Sequence, residues 1–98
     1  MQVDVSSRFQ RFFLKLHPVI QEKATLRMKI FKESGGRDPR LDVHKLHGKK
    51  KEEWAYSVDR SYRIAFVLLE GNRVLYTNIG THDELYENSR RIPLEAAP

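Results

Sequence analysis

Two side chains suited to acid–base chemistry lie four residues apart near the end of the sequence, namely His82 and Tyr86. Thr81 and Glu84 stand in capping-box spacing, and a helix that begins there places His82 and Tyr86 on one face. Histidine is the side chain best matched to proton transfer near neutral pH, and tyrosine can stack on a base or assist that transfer. The same spacing is also typical of a capped turn in which both side chains only pack or meet solvent.

Arg63 is the second candidate for chemistry. It is the only charged side chain between residues 62 and 69, a stretch that is otherwise apolar. A lone arginine on a buried strand costs free energy unless it is paired or solvated, so it marks a candidate site. The alternative is a structural ion pair with Asp59 or with a glutamate elsewhere, and the sequence leaves both interpretations open.

A basic segment between residues 37 and 53 is the third candidate. Six of its side chains can contact phosphate groups: His44, Lys45, His47, Lys49, Lys50 and Lys51. Such contacts position a nucleic acid without reading its sequence. The alternative is a solvated charge run that Glu52 and Glu53 partly offset.

The composition favours a polyanionic partner. The chain has 18 Lys and Arg against 13 Asp and Glu, a net charge of +5, with the excess confined to residues 1–63. Nucleic acid is the commonest partner of such a domain, although the charge also serves solubility. There is no cysteine and the four histidines lack metal-site spacing, so we expect neither a metal nor a cofactor. No signal-peptide pattern or membrane-length apolar run is present, so we expect a cytoplasmic protein with no membrane partner.

Hydrophobic periodicity predicts the elements that position these residues. It indicates one α+β domain over residues 1–98, of which residues 93–98 form a loose tail. The predicted order is an N-terminal strand, a two-helix hairpin, an antiparallel three-stranded meander and a short C-terminal helical turn. The helices are expected to pack on one face of the sheet.

Local signals bound the two helices. Ser6 and Ser7 offer N-caps to the first helix, Pro18 suits the first turn of the second, and Gly35 can end it. The first helix presents an apolar face for the core, made of Phe9, Phe12, Phe13 and Leu16. The second carries a broad apolar stripe, made of Val19, Ile20, Ala24, Leu26, Met28, Ile30 and Phe31.

A period of two predicts the meander. Trp54, Tyr56 and Val58 share a face of one strand, residues 62–69 form a central strand covered on much of both faces, and a Gly-Asn turn follows. The last strand is predicted over residues 74–79, with Gly80 breaking it. Residues 37–53 are interpreted as a connecting loop, with a partly ordered strand around residues 43–46 as the alternative.

From about Val3 to Tyr86, this order of elements resembles the RelE/ParE superfamily of toxin–antitoxin toxins. Three stretches carry the resemblance: the opening strand and hairpin through Ile20-Gln21-Glu22-Lys23; His44-Lys45-Leu46-His47-Gly48 leading to Trp54 and Tyr62-Arg63-Ile64-Ala65-Phe66; and Ile79-Gly80-Thr81-His82-Asp83-Glu84-Leu85-Tyr86. Their order and spacing make the match fairly specific.

The resemblance implies the toxin component of a toxin–antitoxin module, a metal-free endoribonuclease that cleaves messenger RNA, often on the ribosome. Arg63 falls at the family's strand arginine, which contacts phosphate. His82 looks like the histidine of the YafQ-like branch, and Tyr86 matches the aromatic residue that stacks on a nucleotide.

Two departures from the family pattern leave the proton acceptor unassigned. Trp54 and Tyr56 stand where the RelE branch carries catalytic lysines. Ser57 and Ser61 stand where the YafQ-like branch carries a histidine and an aspartate. A ParE-like poison of DNA gyrase and a non-catalytic relic that binds RNA or antitoxin therefore remain alternatives.

The resemblance also implies the partners. A cognate antitoxin is expected because a free toxin would harm its own cell. Messenger RNA, with or without the ribosome, is the expected target, and DNA is contacted only through the antitoxin.

Overall fold

The elements of the structure follow the predicted order, and the sheet has one strand more than the four of the main prediction. The computed structural model describes residues 1–46 and 52–85. The elements are β1 (Gln2–Val5), α1 (Ser7–Lys15), α2 (Pro18–Ser34), a 3₁₀ turn (Pro39–Leu41), β2 (His44–Leu46), β3 (Glu53–Ser57), β4 (Tyr62–Leu69) and β5 (Arg73–Thr81). Residues 82–85 form a helical turn. The α+β class is confirmed.

The helical hairpin forms as its local signals predict. The Ser6 hydroxyl accepts the Phe9 N–H at 3.1 Å and caps α1. The His17 ring caps α2, and Pro18 occupies its first turn. Gly35 ends α2 at φ +64°, a left-handed conformation that glycine adopts without steric cost.

The sheet has five strands in the order β1-β5-β4-β3-β2. β1 pairs parallel with β5, and the other neighbours are antiparallel. The alternative strand around residues 43–46 is confirmed, because His44–Leu46 pairs with β3 at the sheet edge. The prediction that Gly80 breaks the last strand is wrong. Gly80 stays in the ladder opposite Arg63, since pairing with β4 outweighs the low strand propensity of glycine.

The main core lies between the sheet and the two helices. An aromatic cluster fills it, with Phe31 stacked on Tyr56 and in edge contact with Phe66 and Tyr76. The apolar stripe predicted for α2 is too broad. Its buried residues are Ala24 and Phe31, whereas Val19 and Leu26 are more than half exposed.

The opposite face of the sheet, called here the open face, carries a second and smaller cluster. Its buried members are Leu46, Ala55, Ala65 and Leu85. Leu85 comes from the turn after β5, so that turn folds back onto the open face. The middle of β4, from Ile64 to Phe66, is therefore covered on both faces, as its nearly continuous apolar sequence predicts, whereas Leu68 and Leu69 at its end are exposed.

Candidate active site

The start of β4 and the end of β5 bring Arg63 and His82 to the same end of the sheet. Arg63 is paired with Gly80 in β5 and with Ser57 in β3. His82 follows β5 directly, and its N–H donates to the Ser61 carbonyl at 3.0 Å. Because side chains alternate along a strand, Arg63 shares the open face with Ala65, two residues on.

A capping box holds the turn that carries His82. The Thr81 N–H donates to Glu84 Oε1 at 2.8 Å, and the Glu84 N–H donates to Thr81 Oγ1 at 3.2 Å, as the sequence predicts. The His82 side chain is 49% exposed, and its Nδ1 lies 3.4 Å from a carboxylate oxygen of Asp83. The imidazole is thus accessible to a substrate on a turn whose backbone is fixed.

Arg63 is held by main-chain carbonyls, and no carboxylate among residues 1–46 and 52–85 forms an ion pair with it. Its Nη1 donates to the carbonyl oxygens of Asp59 at 2.6 Å, Arg60 at 3.1 Å and Tyr62 at 3.0 Å. The carbonyls of Asp59 and Arg60 belong to the β3–β4 turn, and Tyr62 is the first residue of β4. The side chain therefore stabilises the turn and is fixed by it.

The Asp59 carboxylate has other partners. It accepts the N–H groups of Ser61 at 2.9 Å and Tyr62 at 2.7 Å, and it lies 3.6 Å from Lys23 Nζ. Burial raises the pKa of Asp59, but these two N–H groups and Lys23 outweigh burial and hold the pKa below its ordinary value. The ionised carboxylate closes the turn, and the guanidinium of Arg63 keeps its positive charge free of this carboxylate.

One edge of the Arg63 guanidinium has unused hydrogen-bonding capacity. Its Nε is buried and has no hydrogen-bond partner within residues 1–46 and 52–85. A planar guanidinium with a fixed orientation suits bidentate contact with a phosphate. Because this Nε is buried, contact with a phosphate through it requires the Arg63 side chain to turn outward, and the phosphate-binding role of Arg63 stays a prediction.

The structure divides the described part of the basic segment between the two faces of the sheet. His44 pairs with Ala55 and so belongs to the open face, with its Nδ1 2.8 Å from the Asp42 carbonyl. Lys45 pairs with Trp54; its Nζ lies 2.9 Å from Glu52 Oε1 and 5.7 Å from the Trp54 ring centroid. The predicted offset of the lysines by glutamate is thus present at Lys45.

His44 is not brought into contact with Arg63. β3 separates their strands by two interstrand spacings of about 4.8 Å, and His44 is in register with Ala65, two residues along β4 from Arg63, so the two backbones are about 12 Å apart. The remaining predicted site residues, which are His47, Lys49, Lys50, Lys51 and Tyr86, lie outside the described residues.

Glu53 is a residue of the open face that the sequence analysis treated only as a counter-charge. It is 7% exposed, and its carboxylate accepts a hydrogen bond from the Thr77 hydroxyl. The register shifts by one residue at this point, leaving Thr77 between Tyr76 and Asn78, which pair with β4. The signal for Glu53 was its alternation with Ala55 on β3, opposite the face of Trp54.

Within residues 1–46 and 52–85, no group of three or more His, Cys, Asp or Glu side chains is arranged to hold a metal ion. No helix in these ranges is long and apolar enough to cross a membrane.

Solved structures show what the fold is similar to. No protein-family model matches the sequence, and no curated protein is significantly similar to it. A histidine-to-glutamine variant of YafQ from E. coli superposes with a TM-score of 0.69 at 16% identity, covering 87% of this chain and 97% of that one. RelE in the RelB–RelE complex from Methanococcus jannaschii gives 0.67 at 14% identity, covering 87% and 96%. This chain has the fold of the RelE/ParE toxins.

A YoeB/ParE toxin from Agrobacterium tumefaciens shares the RelE/ParE fold as well, with a TM-score of 0.65 at 14% identity over 84% of this chain and 99% of that one. Such identities establish the RelE/ParE fold and leave the chemistry to be argued from the site. Within that fold, Arg63 and His82 lie at the same end of the sheet, and the His82 side chain is 49% exposed.

Proposed function

We propose that this protein is the toxin of a toxin–antitoxin module and that it acts as an endoribonuclease on messenger RNA. The observation that carries the proposal is the placement of Arg63 and His82 at the same end of the sheet, in a RelE/ParE fold. Solved structures with this fold include RelE and YafQ toxins, some of them in complexes with the antitoxins RelB and DinJ.

The chemistry we propose is an intramolecular transesterification of the RNA backbone. A base removes the proton of a ribose 2′-OH, the 2′-oxygen attacks the adjacent phosphorus, and the 5′-oxygen leaves with a proton. This yields a 2′,3′-cyclic phosphate and a 5′-hydroxyl. DNA lacks the 2′-OH and is not cut.

Each site residue has one role in this scheme. Arg63 neutralises the charge that grows on the phosphate oxygens, which is typically the largest catalytic effect. His82 transfers one of the two protons, a contribution of roughly 10²–10⁴-fold. Tyr86 stacks on a nucleotide beside the cleaved bond, and the basic segment from His44 to Lys51 contacts flanking phosphates.

The proposal includes an antitoxin partner. The chain has a net charge of +5, which attracts an acidic segment, and β1 and β2 are the edge strands of the sheet. An antitoxin that covers the end of the open face near Arg63 and His82 excludes RNA and protects the cell. Co-purification with the product of the neighbouring gene, with loss of nuclease activity in the complex, tests this part.

The deciding experiment uses purified protein and one synthetic RNA. We expect cleavage that leaves a 2′,3′-cyclic phosphate and that a single 2′-deoxy substitution at the cleaved position abolishes. His82→Asn is expected to lose cleavage. His17→Asn is the matched control, because His17 is exposed, lies on the helical hairpin, and asparagine can replace its capping role.

A parallel gyrase supercoiling assay tests the ParE-like alternative. Inhibition of supercoiling without RNA cleavage, on free RNA and during translation, would overturn the ribonuclease proposal. If the His82→Asn variant loses neither RNA cleavage nor inhibition of supercoiling, His82 has no role in the mechanism.

A further inference from the structure

A cavity of about 220 Å³ lies beside the candidate active site, between α1 and the end of β5. Six residues line it: Phe12, Lys15, Leu16, Ile79, Gly80 and Glu84. It exists because β1 pairs only with residues 73–76 of β5, so that α1 borders the rest of that strand. The catalytic scheme above uses none of these side chains.

The chemistry of the cavity is an apolar floor with two opposite charges at the rim. Phe12, Leu16 and Ile79 supply the apolar surface, and Gly80 adds no side chain. Lys15 and Glu84 are exposed, and within the described ranges they are not at ion-pair distance from each other. The volume is below the roughly 300–1,000 Å³ of clefts that hold drug-sized ligands, so the cavity suits one planar ring system.

The cavity lies close to the residues proposed to act on RNA. Gly80 and Glu84 each lie two residues from His82, and Gly80 pairs with Arg63. On the other side, α1 contains three exposed basic residues and no acidic one: Arg8, Arg11 and Lys15. Their i, i+3, i+7 spacing forms a stripe along the helix, which can hold a phosphate backbone next to the cavity.

We propose that this cavity binds a guanine base of the RNA, adjacent to the nucleotide whose 3′ bond is cleaved. The proposal rests on the RNA substrate proposed above. Phe12 stacks on the base. Alanine substitutions in other proteins show that such aromatic stacking contributes substantially to their affinity for single-stranded nucleic acid. Lys15 Nζ donates to the guanine O6, and the Glu84 carboxylate accepts from N1–H and the N2 amino group.

The charge pattern selects guanine over the other bases. Guanine alone presents two neighbouring donors beside an acceptor, which matches a carboxylate and an ammonium group on the rim of one cavity. Glu84 Oε1 already accepts the Thr81 N–H at 2.8 Å, but a carboxylate has about four acceptor positions, so it can also bind the base. Adenine, cytosine and uracil each offer the carboxylate one donor at most on that edge.

The test compares four RNAs that differ only in the base next to the cleaved bond. We expect guanine to be preferred by about tenfold, which corresponds to about 1.4 kcal/mol. Glu84→Gln and Lys15→Ala are expected to remove the preference. Glu84→Gln keeps the capping box, because glutamine also serves at that position. The matched controls are Glu33→Gln and Lys29→Ala, both exposed on α2.

A second measurement separates this inference from the ribonuclease proposal. Guanosine monophosphate, titrated into the whole protein, is expected to shift the NMR signals of the Gly80 amide and the Phe12 ring, and uridine monophosphate to leave them in place. RNA cleavage without base preference and without these shifts would overturn the guanine site and leave the ribonuclease standing. Guanine-specific shifts without any RNA cleavage would support the site and overturn the ribonuclease.

Discussion

Replacing Arg63 with alanine perturbs two things at once, the β3–β4 turn and the charge proposed to face the phosphate. The turn is affected because Nη1 donates to the carbonyls of Asp59, Arg60 and Tyr62. The charge is affected because no other guanidinium on β4 can replace it. The variant therefore separates the structural from the catalytic contribution only if stability and rate are both measured.

The structural part can be estimated from the hydrogen bonds. One Nη1 has two N–H groups for three carbonyls, so we count two charge-assisted bonds. Such bonds contribute about 1.5–3 kcal/mol each, and the lower end applies because part of this turn is exposed and its carbonyls regain water. We expect a loss of about 2–3 kcal/mol, a fall in Tm of about 10–20 °C, and a folded protein at 25 °C.

The catalytic part is expected in the rate and not mainly in affinity. Removing one preorganised donor to transition-state charge typically costs about 10²–10³-fold in kcat. For Arg63→Ala we expect a loss of about 100-fold in the single-turnover rate at saturating RNA, with less than about a tenfold change in Kd. Arg60→Ala is the matched control, because its exposed side chain lies in the same turn and the turn uses its carbonyl.

The comparison has two outcomes that refute the reasoning. If Arg63→Ala weakens binding while the saturating rate is unchanged, Arg63 is a binding residue only. If the rate falls no further than the folded fraction at the assay temperature, the guanidinium acts only on the turn. An Arg60→Ala variant as slow as Arg63→Ala would likewise remove the special role of Arg63.

Three further predictions follow from other parts of the molecule. His82→Ala should abolish growth arrest on expression and change the free energy of unfolding by less than about 0.5 kcal/mol, because the side chain is about half exposed; an equally toxic variant with a normal thermal melt would contradict it. Changing the three lysines at 49–51 together to alanine should flatten the salt dependence of RNA affinity by roughly 0.7–0.9 per lost phosphate contact, as measured by filter binding at several salt concentrations, and an unchanged slope would mean that they contact only solvent. Burial raises the pKa of Tyr76 to about 12 and also raises that of Tyr56, so the unfolded chain releases these protons first and stability should fall as the pH rises from about 10 to about 12. Denaturant unfolding should show this loss in the wild type and much less of it in a Tyr56→Phe, Tyr76→Phe double variant, and equal losses in both would show that other groups control it.

The helical hairpin and the capped turn could be predicted because their signals act over a few residues. Ser6 bonds to an N–H three positions on, Gly35 needs only its own left-handed conformation, and Thr81 and Glu84 exchange hydrogen bonds across one turn. The apolar alternation of residues 62–69 likewise placed a central strand without knowledge of its neighbours. In each of these features the interacting groups lie within a few residues of one another, so composition and spacing were enough to predict them.

The sheet neighbours and the partners of Arg63 depended on the tertiary structure. Whether Gly80 ends a strand or continues it depends on pairing with Arg63, and whether residues 44–46 form a strand depends on β3 lying beside them. The sequence marked Arg63 as unusual, but it could not distinguish a carboxylate from carbonyls as its partner, since the turn geometry decides which oxygens come within reach. The burial of Glu53 has the same cause, because Thr77 meets it only through the register shift in β5. Such contacts join residues far apart in the chain, and their free energy depends on all the strands being assembled together.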